Sequence, residues 1–388
     1  MSAPLPAGPL REWRQIGNLL TRGRSHGRRL SEIDVRIAVT GTRGKSTVTR
    51  WLHDVFVERG YDTYAKVTGD APISLYNGRE YPIERHGPIR LYENEREIRT
   101  FEPTEVLIVE NQGIREYTMR LVNTRYVRPN VVVLTNVRQD HLDTLGGDRF
   151  KIARAFARSI PSGAHVISGE VDEEINDYLE VELGRRNAMV SRATIPEEYA
   201  LVPGAENVFL VDGVLRAIGE LPLDERRIAR YLDRLEVSWT ELPEGRVFDA
   251  SDTNDVESME RIRSALEPKD EVIQPLVYLR HDRPGRTASY LEYLNGLAER
   301  GIVEQTHVVG SHRMAFARGA RFPVVDHDQS VESVTDVLDA ALADGSPVVL
   351  MANGVPTFMQ DIKAELRARV RRLDERPVLD DSTMMVDG

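Results

Sequence analysis

Residues 37–52, "IAVTGTRGKSTVTRWL", decide how this chain is read. Apolar Ile37, Ala38 and Val39 run into a Gly-Thr-Arg-Gly-Lys-Ser turn, and a helical pattern follows. A strand, a glycine turn and a helix opening on Lys and Ser is how backbone N–H groups cradle a phosphate. Gly41 and Gly44 permit the tight turn and the close approach to an anion. Lys45 can reach the outer phosphates and Ser46 can offer a hydroxyl to Mg²⁺, with Thr42, Arg43 and Thr47 completing the candidate nucleotide loop. The usual G-x-x-x-x-G-K-[ST] spacing would place its first glycine at Val39, so this loop is a shorter kind.

Outward from the loop the pattern alternates. Apolar runs at 35–39, 106–110, 131–137 and 164–168 read as strands buried on both faces. Helical patterns at 45–59, 113–123, 147–159 and 172–184 lie between or after them, which makes a parallel α/β domain. The segment 207–219, with Asp212–Gly213 between apolar runs, reads as a hairpin or strand pair. Residues 224–235 read as a helix and 238–246 as a linker. A second alternation follows, with strands at 246–250, 272–279, 306–310 and 347–352 and helices at 255–266, 287–300, 331–344 and 357–373. This predicts a smaller doubly wound domain at 245–375 after a nucleotide-binding domain at 34–240, with a polar tail from 376 and a site in the cleft between domains.

Residues 1–33 form a basic arm in which Arg11, Arg14, Arg22, Arg24, Arg28 and Arg29 surround Trp13, Ile16, Leu19 and Leu20. The apolar spacing suits an amphipathic helix. Such a helix can lie on an anionic membrane or dock a partner; more commonly it packs on its own domain with its arginines solvated. No apolar run is long enough to span a bilayer, and the first twenty residues lack a secretory core. The chain has no cysteine, which removes disulfides, thiolate metal sites and cysteine nucleophiles together and makes the cytoplasm the expected compartment. A net charge of −11 argues against a nucleic-acid partner. Only Lys45, Lys66, Lys151, Lys269 and Lys363 are lysines among the 51 basic residues; adaptation to high salt and GC-rich coding explain that bias equally well.

Two further groups point to chemistry. Glu110 ends the strand at 106–110, where a carboxylate meets the ligand edge of a parallel sheet. Asn136, Asp140, His141 and Asp143 crowd the end of the next buried strand. Carboxylate and imidazole beside a phosphate loop suggest a divalent cation bridging nucleotide oxygens.

These residues together resemble the Mur ligase superfamily. The loop of that superfamily reads G-T-x-G-K-[ST], matched by residues 41–46 at every fixed position, and "TNVRQDHLD" is similar to its asparagine-acid-histidine block. Among its branches, "RGKSTVTR" and "AFARSIPSGAHVI" look most like the ligase subunit of poly-γ-glutamate synthases. The likeness is strong over 34–170 and patchier through 248–258, 279–287 and 352–358. Many members carry a carbamylated lysine about fifteen residues after the motif histidine; that count reaches Phe156 here, and Lys151 falls short by more than a turn. The poly-γ-glutamate branch also lacks that lysine. Its bacterial members begin with a hydrophobic segment, where this chain has the arginine-rich arm.

What the resemblance implies is an ATP- and Mg²⁺-dependent amide ligase working through an acyl phosphate, extending a γ-linked glutamate polymer beside integral-membrane partner subunits, at the inner face of the cell membrane. Lys45, Glu110 and His141 would be its catalytic set, and Ser46, Glu110 and His141 its metal ligands. Asn136, Asp252 and Asn254 would contact nucleotide, and Arg280, Arg283 and Arg286 would grip substrate carboxylates. A regulatory scaffold that has lost activity, or a ligase for another amino acid, are the competing readings.

Overall fold

Strands that are apolar on both faces must be sandwiched between helices, and the architecture follows from that requirement. The computed structural model describes residues 23–69, 71–85, 90–138, 148–251, 253, 255–266, 271–352 and 357–374. The chain divides into two units, residues 1–235 and 236–388.

The first unit is an eight-stranded sheet in the order β4-β3-β2-β5-β1-β6-β7-β8. Its strands are β1 (Val35–Thr40), β2 (Thr63–Val67), β3 (Ile73–Tyr76), β4 (Arg79–Pro82), β5 (Val106–Glu110), β6 (Val131–Leu134), β7 (His165–Ser168) and β8 (Met189–Arg192). The pairings of β1 with β5 and β6 are parallel, with Val39 beside Glu110 and Thr40 beside Leu134. The β2–β3 and β3–β4 pairings are antiparallel, so β3 runs against its neighbours and the sheet extends past β2 as a meander. Successive residues of each strand serve opposite cores. Ile37, Val39 and Ile108 pack on the helices Lys45–Glu58 and Ala205–Ala217 through Leu52, Phe56 and Val208. Ala38, Leu107 and Val109 face Ile98, Ile152 and Phe156 from the helices Glu93–Phe101 and Arg149–Ser159.

The second unit is a six-stranded sheet in the order β13-β12-β11-β14-β10-β9. It comprises β9 (Thr240–Leu242), β10 (Gly245–Asp249), β11 (Gln274–Leu279), β12 (Thr306–Gly310), β13 (Val324–His327) and β14 (Val348–Ala352), parallel except for the edge strand β9. Helices Val256–Ala265, Pro284–Glu299, Val334–Leu342 and Thr357–Asp374 occupy the expected places.

Several expectations are corrected. Residues 205–217 are one helix, not a strand pair; nearly every position is buried, so the sequence shows no polar face from which to read a period of 3.6. Asp212 sits inside that helix, bonded to Arg216 and to the Leu223 N–H. The helix expected at 113–123 starts only at Glu116 and runs on through wide turns to Val127. The strand expected at 131–137 ends at Leu134. The linker at 238–246 contains β9 and the start of β10. The part of the basic arm that is described is a helix over 23–31 that packs on its own unit. Leu30 and Ile33 enter the core, and the buried His26 bonds through Nε2 to Tyr126 O. The remainder of the arm and the tail lie outside the described residues.

A buried hydrogen-bonded row crosses the β12–β13 edge. His327 Nδ1 is 2.8 Å from Glu332 Oε1, His327 Nε2 is 2.7 Å from His307 Nδ1, and His307 Nε2 is 3.3 Å from Gln305 Nε2. A carboxylate only accepts, so His327 carries its proton on Nδ1, His307 donates from Nδ1, and His307 Nε2 accepts from the Gln305 amide. Burial, and secondarily His327, push His307 down to about 4. A base whose folded pKa is depressed is protonated first in the unfolded chain, so stability falls as pH drops from 6.5 towards 4. Between pH 7 and pH 5 this one group should remove about 2 kcal/mol. Thermal melts at the two pH values should show a smaller pH effect in His307→Gln than in the wild type, and parallel shifts would refute the assignment.

Candidate functional site

β1 ends at Thr40 and the chain turns at once. Gly41 has φ 122°, and a Cβ there would lie 2.1 Å from Thr135 Oγ1 and 2.8 Å from Thr135 N on β6's exit. Only glycine allows the two chain segments to approach this closely. The segments are then bonded together. The Thr42 N–H donates to Asn136 O at 3.0 Å, the Arg43 N–H donates to Asn136 Oδ1 at 3.0 Å, and Asn136 Nδ2 returns to Arg43 O. Thr42 Oγ1 accepts from the Arg138 N–H. Asn136 thus shapes the loop through its carboxamide.

Gly44 (φ 80°) is the N-cap of the helix Lys45–Glu58, which has no side-chain cap and no acidic residue in its first turn. Such a terminus presents unsatisfied N–H groups and the positive end of the helix dipole. Lys45 and Ser46 stand on that first turn, followed by Thr47. The Lys45 ammonium lies across the loop, 2.9 Å from both Gly41 O and Thr42 O. Ser46 Oγ donates to Glu110 Oε2 at 2.9 Å. The Thr68 N–H, just past β2, donates to the same oxygen at 2.9 Å. Glu110 is buried, and it is placed here because Val39 and Glu110 are register partners. Loop, ammonium, hydroxyl and carboxylate therefore meet at the carboxyl edge of β1 and β5.

Sequence reasoning missed the far wall. Asn207, in the first turn of Ala205–Ala217, covers Gly44; a Cβ at Gly44 would lie 2.1 Å from Asn207 Oδ1. That oxygen is buried and takes no hydrogen bond among the described residues. Its neighbour Glu206 forms a buried ion pair with Arg138 at 2.9 Å, tying this helix to the segment after β6. The Gly204 turn before "AENV" was the available signal, a helix start hidden by an apolar run.

Other expected site residues are distributed differently. His141, with Asp140 and Asp143, lies outside the described residues, as do Asp252 and Asn254. The flanks of the His141 segment are held by Glu170, which accepts from the Val137 N–H and pairs with Arg149. Lys151 is exposed and paired with Asp148, while Phe156 is buried in the core. In the second unit Asp255 caps its helix through the Ser258 N–H. Arg280, Arg283 and Arg286 cluster after β11, but Asp282 takes the Arg280 fork at 2.9 and 2.8 Å and lies 3.9 Å from Arg283. The Arg280 hydrogen bonds hold Asp282 below the usual carboxylate range.

Part of this chain is similar to known proteins. Residues 39–183 match the Mur ligase middle domain. The capsule biosynthesis protein CapB of Bacillus anthracis is 31% identical over 211 residues, covering 50% of this chain and 44% of that protein. The PGA synthase CapB of Bacillus subtilis is 29% identical over 208 residues, covering 50% of this chain and 52% of that one. The chain thus spans about half the length of the curated relatives it matches. In fold it is similar to Escherichia coli FolC in complex with ADP, with a TM-score of 0.62, 21% identity, and coverage of 96% of this chain and 100% of that one.

Gly41→Ala should lose the loop. The positive φ and the contact with Thr135 backbone together cost roughly 2–4 kcal/mol. Chemical denaturation should register that loss; a variant as stable as the wild type would mean that the β1–β6 approach is not tight.

Proposed function

From a Mur ligase middle domain at residues 39–183, we propose that the protein is an ATP-dependent amide ligase that extends γ-glutamyl chains. The observation that carries the reading is the convergence of Ser46 Oγ and Glu110 Oε2, 2.9 Å apart, at the mouth of a loop bearing Lys45. Hydroxyl and carboxylate are hard oxygen donors of the kind Mg²⁺ takes, and the uncapped helix terminus after Gly44, with no acidic residue in its first turn, suits a phosphate. Ser46 and Glu110 would hold one cation, and His141 would help to hold a second. When bound, Mg·ATP would supply the phosphoryl group that activates a substrate carboxylate as an acyl phosphate, releasing ADP, and an incoming amine would displace inorganic phosphate to form the amide.

The chain's own part is positioning and charge neutralisation, which is what phosphoryl transfer most needs. Lys45 exchanges its loop carbonyls for phosphate oxygens. Asn136 keeps the Thr42–Arg43 backbone in the cradle shape. Asn207 offers a buried carbonyl oxygen at the wall beside Gly44. The γ-glutamyl substrate is supported by the two curated relatives, which carry capsule and PGA synthase names. The basic segment at 280–286, from the end of β11 into the first turn of the helix Pro284–Glu299, is the candidate carboxylate grip. Glutamate or a γ-glutamyl polymer is the substrate, and membrane partner subunits receive the product, met through the basic arm.

Purified protein with ATP and Mg²⁺ is to be offered γ-glutamyl oligomers, glutamate and a panel of other amino acids. ADP release should rise with the oligomers, whose mass should grow by single glutamate residues. Lys45→Ala should cut turnover by roughly a hundredfold or more while its melting temperature stays near wild type. Stimulation by an unrelated amino acid, with none by glutamate even after membrane partners are added, would overturn the substrate assignment.

The arm is tested separately. Because Leu30 and Ile33 belong to the core, the deletion that spares the fold is residues 1–22. That variant should hydrolyse ATP normally and leave the membrane fraction; equal membrane retention would sink the attachment role.

A further inference from the structure

Lys66 is fully buried in β2, on the sheet face opposite Ser46 and Glu110. Its ammonium has three N–H groups and meets three acceptors: Glu93 Oε1 at 2.8 Å, Asn94 Oδ1 at 2.7 Å and Gln112 Oε1 at 2.6 Å. Glu93 is in turn gripped by both arms of Arg85, each at 2.9 Å. Arg85 Nη1 donates onward to Gly69 O at 3.0 Å. An apolar side chain of similar volume would fill this position without the desolvation of an ion pair, so stability alone does not account for the charge.

What the network joins is specific. Lys66 stands two residues before Thr68, whose N–H holds Glu110 Oε2. Its partner Gln112 stands two residues after Glu110. Arg85 fixes Gly69, the residue following Thr68. The ammonium therefore clamps, from behind the sheet, both backbone segments that meet at the Glu110 carboxylate.

We infer that Lys66 is a positioning residue for Glu110, setting the separation of segments 66–69 and 110–112 so that Oε2 stays between the Thr68 N–H and Ser46 Oγ. The link to a cation rests on the nucleotide-site reading above; the link to Glu110 does not. Burial opposes the charges and hydrogen bonding restores them. Burial brings Lys66 down to about 8 against the pull of Glu93, which still leaves it charged at neutral pH. Burial likewise pushes Glu93 upward, but hydrogen bonds from Arg85 and Lys66 hold it at about 2. The clamp is ionic across the neutral range.

The test uses Lys66→Met, which keeps the stem and leaves Glu93 on Arg85, and Gln112→Met, which cuts one arm only. Hydrogen exchange at the Thr68 amide should accelerate at least tenfold in both. Mn²⁺ affinity in the presence of AMP-PNP, read by electron paramagnetic resonance, should fall at least tenfold. Leu338→Ala, a core truncation in the second unit, lowers stability without touching this network and should change neither readout. If Lys66→Met does not fold, Gln112→Met decides. Wild-type exchange at Thr68 in the folded variants overturns the positioning role whatever Mn²⁺ does. A wild-type protein that binds no Mn²⁺ with AMP-PNP would sink the nucleotide reading, and Thr68 exchange would still decide the role of Lys66.

Discussion

The close approach of β1 and β6 at Gly41 is the constraint on which the site depends. Parallel neighbours leave a sheet at the same edge, so their exits compete for the same space. Here the competition is resolved by removing a side chain at Gly41 and letting the Asn136 carboxamide bond to both sides of the Arg43 backbone. The loop is thereby pulled against the sheet and the helix begins at once. The short turn at 41–46 and the asparagine after β6 therefore belong to one arrangement. Arg138 carries it outward, bonding Thr42 through its backbone and Glu206 through its side chain.

A second constraint is that charge buried at this edge has to be answered. An isolated buried carboxylate or ammonium costs several kcal/mol, so each is met by fixed partners. Glu110 has Ser46 and the Thr68 N–H, Lys66 has three acceptors, and Arg138 has Glu206. Each set joins elements distant in sequence, so satisfying the charges also fixes the relative placement of β2, β5 and the helices at 45–58 and 205–217. Polar groups that are expensive to bury act here as alignment pins.

The glycine turn at 41–46, the place of Glu110 at a strand end and the parallel strands around them were legible in the sequence because their signals are local. A glycine turn, a Lys-Ser helix start and uninterrupted apolar runs each announce themselves within a few residues. The region between 60 and 105 was not, because a lysine in the middle of β2 breaks the apolar run, and its three acceptors lie 27 or more residues away. Asn207 was hidden for the opposite reason. Its helix is apolar on nearly every side, and a helix buried all round has no period to detect. The histidine row across β12 and β13 joins residues 20 apart that the strand register sets as diagonal neighbours, His307 opposite Val325 and His327 opposite Val309.

The arginines at 280–286 show how geometry alters what composition suggests. Three arginines and one aspartate leave that segment at +2, which invites a picture of several open forks waiting for carboxylates. Yet the Arg280 fork already grips Asp282, and Arg283 leans on the same carboxylate. A ligand carboxylate taking the Arg280 fork would displace an equal charge, so the gain from that single contact is the small difference between two similar ion pairs. Recognition of a chain of carboxylates by this segment would therefore rest on its summed field, which falls with salt, more than on one bidentate grip. Such a field senses the charge density of a polymer better than the side chain of a single residue.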